Sequence, residues 1–166
     1  MQAGVGERFA SIVRLVDTGS VAIAVEELEA LVGKPFPGGR YTIEPYRHWL
    51  MQDAVGGPAT REGEASPMEV YYGALAGMGL SVDELFALVG ATADDGPMFG
   101  EAGIDVRRPL EIGATYRVSG GITGVVRKEG RKAGVFDIVT FRLELVGEDG
   151  ELAAVSTNSF IFPRRD

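Results

Sequence analysis

The sequence predicts an α+β protein in which one antiparallel β-sheet wraps around a central α-helix, with an extra helical segment at the N-terminus. Two observations carry this. Between 107 and 162 the chain is a run of alternating segments joined by glycine turns; Val139, Phe141, Leu143 and Leu145 fall on one side, and Thr140, Arg142 and Glu144 on the other. That period of two marks half-buried strands. Before this block, Ser66-Pro67-Met68-Glu69 opens a helical stretch with Val70, Tyr71, Ala74, Leu75 and Met78 on one side and the small residues Gly73, Ala76, Gly77 and Gly79 keeping it slim. Small residues of this kind let a helix approach a sheet closely, and helices gathered on one face of an antiparallel sheet define the α+β class.

The elements follow in order. Phe9, Ile12, Val13 and Val16 have helical spacing up to a stop at Gly19, and Ala24 to Val32 is a second helix candidate closed by Gly33. Pro35, Pro37, Gly38 and Gly39 then break the chain, so residues 1-32 read as a helical extension and 33-166 as a single domain. Tyr41-Thr-Ile-Glu44 favours a short strand, and Pro45 suits the first turn of a helix running to about Val55, ended by Gly56, Gly57 and Pro58. Residues 58 to 65 are small, polar and charged, which predicts a surface loop. The Ser66-x-x-Glu69 spacing predicts a capping box with proline at the first helical position, and Ser81-Val-Asp-Glu84 repeats the signal for a shorter helix ending near Gly90. Strands are expected from Tyr116 to Ile122, from Gly134 to Val146 and from Leu152 to Phe162.

A length of 166 residues with 45% apolar side chains suits one packed domain. The net charge of -8 argues against nucleic acid, whose recognition needs a basic surface. With no cysteine and one histidine, thiolate or multi-histidine metal sites are not expected. The N-terminus lacks the basic start of a signal peptide, and no apolar run approaches a membrane span. A cytoplasmic location is the expectation.

Gly33-Lys34, Tyr41-Thr-Ile-Glu-Pro45, Asp53, Ser66-Pro67, Gly100-Glu101, Arg108-Pro-Leu-x-x-Gly113, Val125-x-x-Lys128-x-Gly130-Arg131 and Asp149-Gly-Glu-Leu152 occur in an informative order. Over about residues 33 to 162 the chain resembles the N-terminal-half domain of MaoC-like and type I fatty-acid-synthase-like acyl dehydratases, of the (R)-specific enoyl-CoA hydratase superfamily. The resemblance implies the hotdog fold. It also implies hydration of 2-enoyl thioesters, or dehydration of (R)-3-hydroxyacyl thioesters, with coenzyme A or phosphopantetheine present as part of the substrate and no tightly bound cofactor.

Active members of that family place a histidine five residues after an aspartate. Here Asp53-Ala-Val-Gly-Gly-Pro58 keeps the aspartate and puts proline at the histidine position; proline transfers no proton, and acid/base catalysis needs a proton-transferring group within hydrogen-bond reach. His48 lies five residues before Asp53 on the predicted helix, well off the Asp53 face. Glu101, at the start of a strand, is a further candidate base. Asp53, Glu101 and His48 are therefore the catalytic candidates, each with an ordinary alternative: loop bracing for the carboxylates and a surface or interface position for the histidine. A hotdog thioesterase would need only one carboxylate, so that class stays open.

Arg127, Lys128, Arg131 and Lys132 reverse the sign of the charge at one hairpin of an acidic chain. They are candidates to hold the phosphates of coenzyme A or phosphopantetheine, although solvated turns often carry charge. Arg107, Arg108, Arg164 and Arg165 either extend this edge or brace the chain. Met68, Tyr71, Tyr72, Leu75, Met78 and Leu80 form a stripe that serves as core or lines an acyl tunnel. The expected partner is a second hotdog chain, either a copy of this one or a histidine-bearing subunit. A non-catalytic acyl-ligand binding protein is the remaining alternative.

Overall fold

Proline and glycine set the boundaries of the helices. In the computed structural model, which describes residues 23–164, the first helix (α1, Val25–Glu29) is followed by a short strand (β1, Gly39–Thr42) and by the helix α2, Pro45–Val55. Pro45 sits at the first turn of α2 and Gly56 closes it in the left-handed region at φ 58°. These are the bounds expected from the sequence. The central helix α3 spans Met68–Gly77, α4 spans Val82–Leu88, and a 3-10 turn at Ala93–Asp95 leads into the strands. These are β2 (Met98–Val106), β3 (Thr115–Gly130), β4 (Gly134–Val146) and β5 (Leu152–Arg164). The helix expected at 7 to 19, and Arg165, lie outside the described residues.

All pairings in the five-stranded sheet are antiparallel, in the order β1-β3-β4-β5-β2. Along β4 the predicted alternation holds: Val139, Phe141, Leu143 and Leu145 are buried, while Thr140, Arg142 and Glu144 are only partly covered. The buried face packs on Val70 and Ala74 of α3 and on Met78 at its C-cap. Close approach explains the glycines of that helix. A Cβ on Gly73 would stand 2.6 Å from the Tyr41 ring, and one on Gly77 would stand 2.4 Å from Val118. Neither distance is compatible with a side chain, so the helix reaches the sheet only because these positions are bare.

The packed body starts earlier than the break at Gly33 suggests. Leu28 of α1 is fully buried in the core, and the Gly33 N–H donates to the Ile122 carbonyl at 2.9 Å. The helix is shorter than the span from Ala24 to Val32, because its last residues turn to meet β3.

The basic hairpin also differs from expectation. Arg127 faces Asp137 across the β3–β4 ladder and binds it through Nε and one terminal nitrogen at 2.7 and 2.9 Å. Arg164 binds the same carboxyl at 2.7 Å and donates to the carbonyls of Val89 and Gly90 beyond α4. Burial alone would push the fully buried Asp137 carboxyl up, but the two guanidiniums outweigh it and hold it below the usual carboxylate range. Arg127 and Arg164 are thus structural ties that join the end of the sheet to α4 and, through the Ile23 carbonyl, to the start of the described chain. Lys128, Arg131 and Lys132 remain exposed around the turn. Arg108 pairs with Asp149, linking its motif to the turn before β5, and it holds the Asp149 carboxyl at about 2.

Candidate functional site

The two predicted capping boxes have different fates, and the difference builds the site. At the exposed start of α4 the box forms: the Glu84 N–H donates to Ser81 Oγ, and the Ser81 N–H donates to the Glu84 carboxyl. At α3 it does not. Ser66 accepts from the Met68 N–H at 3.3 Å, but Glu69 never turns back to Ser66. It points inward, 1% exposed, where its Oε2 accepts a 2.8 Å hydrogen bond from the Tyr41 hydroxyl. Its Oε1 lies 3.4 Å from Nδ1 of His48, which is also buried. This Nδ1 has no hydrogen-bond partner. A tertiary cluster has drawn the glutamate away from its local cap, as buried polar groups require partners.

Three elements position the cluster. Tyr41 comes from edge strand β1, His48 from the inner face of α2, and Glu69 from the first turn of α3. Burial first, then the bond to Glu69 and its charge, raises the Tyr41 phenol above its ordinary range, so Tyr41 stays protonated and acts as a donor.

Glu69 and Tyr41 also line a cavity of about 480 Å³ between α2 and α3. Its other lining residues are Arg47, Leu50, Met51, Ala54 and Val55 of α2 with Tyr72 and Ala76 of α3. The volume lies in the range of small-ligand sites, and carbon walls with a few convergent polar groups are their usual lining. Arg47 has no carboxylate partner among the described residues.

Of the six-residue stripe expected along the central helix, Tyr72 lines this cavity. Met78 is core, and Tyr71 packs edge-on against Phe99 of β2. The catalytic candidates are not assembled. Asp53 is exposed on the last turn of α2, and Glu101 is exposed on β2. His48 is buried against Glu69, not placed at the surface. No ion pair or hydrogen bond among the described residues joins any two of these three. Pro58 offers only its carbonyl, which accepts from Gln52 Nε2 at 2.9 Å. Sequence reasoning missed Glu69 and Tyr41 as site residues, although the pattern carried a signal: the glutamate sits in the first turn of a helix whose glycine at 73, one turn further on, receives the Tyr41 ring.

Edge strand β2 carries Met98, Phe99, Ile104 and Val106 exposed, and its outer side has no neighbouring strand among the described residues. No helix of the described residues is long and apolar enough to cross a membrane, and these residues hold no cluster of three potential metal ligands.

An antiparallel sheet in the order 1-3-4-5-2 wrapped on a central helix is the hotdog fold, and comparison with solved structures agrees. The chain is similar to the C-terminally truncated HadBC (3R-hydroxyacyl-ACP dehydratase) complex of Mycobacterium tuberculosis, at TM-score 0.58 and 17% identity, covering 79% of this chain and 96% of that one. It is also similar to the ChsH1-ChsH2 complex of the same organism, at TM-score 0.58 and 14% identity over 97% and 94% of the two chains. A MaoC-like dehydratase matches at TM-score 0.60 and 17% identity, covering 81% of this chain and 43% of that one. No family model and no curated protein matches the sequence. The fold is that of the MaoC-like hotdog proteins.

Proposed function

We propose that this chain is a hotdog subunit of an acyl-thioester hydratase or dehydratase, one that seats the acyl group and its carrier while a histidine-bearing hotdog partner supplies the acid/base pair. The observation behind this reading is the α2–α3 cavity beside a central helix whose chain keeps Asp53, Glu101 and His48 apart. Hydration of an enoyl thioester moves protons at two adjacent carbons, so it needs groups within reach of both. Scattered carboxylates do not meet that need.

Two of the similar structures are described as two-component complexes, which supports a paired assembly. The exposed apolar side chains of β2 fit edge-to-edge pairing with a second sheet, since an uncovered strand edge of this kind invites a partner. The carrier would be coenzyme A or a phosphopantetheine arm, with Lys128, Arg131 and Lys132 available to its phosphates.

The test is hydration of crotonyl coenzyme A by the purified chain, alone and mixed with a hotdog protein that carries the Asp-x-x-x-x-His pattern. Binding alone and turnover only in the mixture is the expected result. Release of free thiol by the single chain would indicate a thioesterase instead, and binding without turnover in either case would indicate a ligand-binding protein.

A further inference from the structure

The α2–α3 cavity has two unlike ends. Leu50, Val55 and Tyr72 on its walls are half-exposed, whereas Glu69 on the same lining is 1% exposed. The exposed walls are therefore carbon, and the most buried lining group is a carboxyl hydrogen-bonded to a phenol, with Arg47 also on the lining. Glu69 uses one oxygen for the Tyr41 bond; the other makes only the 3.4 Å approach to His48. A carboxyl group has several acceptor positions, so this floor has acceptor capacity to spare. A hydrocarbon chain pushed down to it would remove water and return no hydrogen bond.

We propose that the cavity takes an acyl group whose far end carries a hydroxyl, donated to Glu69 on the floor. The proposal rests on the acyl-thioester reading above and refines its substrate class. A nucleotide or protein carrier does not fit in about 480 Å³ together with the acyl group, so the acyl group enters tail first and its far end meets Glu69. A neutral hydroxyl suits the site better than an ammonium group, because Arg47 acts on the same cavity and its charge is felt at Tyr41. The hydroxylated ligand completes the Glu69 shell, and the saturated ligand leaves it open.

The experiment is calorimetric titration of the full chain with hexanoyl coenzyme A and its terminally hydroxylated counterpart, with butyryl and octanoyl pairs to bracket the depth. One hydrogen bond to a charged or strongly polar group corresponds to about tenfold to a hundredfold in affinity. The hydroxylated member of at least one pair should bind tighter by that factor. In the double variant Tyr41→Phe with Glu69→Leu, which makes the floor carbon, the preference should vanish or reverse. Equal binding of the two members in every pair, or tighter binding of the saturated ones, overturns the proposal and leaves the acyl-thioester reading intact. A preference that survives unchanged in the double variant overturns the role of Glu69. If no thioester binds at all, the reading itself falls and the proposal with it. The wild-type ratio tests the hydroxyl preference by itself; if the double variant does not fold, the single variant Glu69→Met tests the acceptor, and a preference unchanged there overturns the role of Glu69.

Discussion

The Tyr41 hydroxyl donates a 2.8 Å hydrogen bond to Glu69 Oε2 and so ties edge strand β1 to the first turn of the central helix. Because the folded chain holds this phenol proton more tightly than the unfolded chain does, the contribution is fully present below about pH 10 and is lost as pH rises beyond it. Tyr41 should be among the last tyrosines to ionise in an alkaline absorbance titration. Glu69→Gln should bring its transition down and flatten the alkaline loss of stability seen in urea midpoints. An unchanged Tyr41 transition in that variant would count against the bond.

Asp137 joins Arg127 and Arg164 at the end of the sheet. Asp137→Ala leaves the nearly buried Arg164 without its counter-charge and should cost about 3–5 kcal/mol, as breaking buried pairs does. The carboxyl is depressed in the folded state, so its contribution is present above the ordinary aspartate range and is lost as pH falls below that range through the lower folded value. Chemical denaturation from neutral to acid pH checks both statements, with the variant expected to show less acid loss than the parent.

The hairpin cations separate into two kinds. Arg127→Ala should destabilise, since it strips Asp137 of one partner. The exposed trio Lys128, Arg131 and Lys132 should tolerate alanine within about 0.5 kcal/mol. If they hold carrier phosphates, the triple variant should weaken coenzyme A thioester binding and flatten its salt dependence. Stable folding with unaltered affinity would remove them from the binding surface.

Ile104 is exposed on β2, where the sheet edge is unpaired. If the β2 edge pairs with a second hotdog sheet as proposed, Ile104→Lys should raise the dissociation constant of that assembly by at least about tenfold, because a charge buried in an apolar contact is desolvated without a partner. Sedimentation velocity of parent and variant measures it. No change in mass distribution would place the interface elsewhere.

Much of this fold was legible because local rules met no competitor. Pro45 and Gly56 bound α2 where the sequence puts them, and the alternation from Val139 to Leu145 follows the sheet faces. The same rules failed where distant residues intervened. Ser66-x-x-Glu69 and Ser81-x-x-Glu84 look alike in sequence, yet only the second caps its helix. Tyr41 and His48 offered the first glutamate a buried site that local spacing does not encode. Arg127 looked free for the same reason, as its partner Asp137 lies across the hairpin and appears only once the β3–β4 register is known. The cavity needed α2 and α3 to be brought side by side, so Arg47 and Glu69 could not be joined by reading along the chain.

The most direct test of the account is crotonyl coenzyme A hydration by the purified chain on its own. The account predicts that the chain binds acyl thioester and leaves the double bond unhydrated until a histidine-bearing hotdog partner is added. Hydration by the single chain that disappears in Asp53→Asn would contradict it.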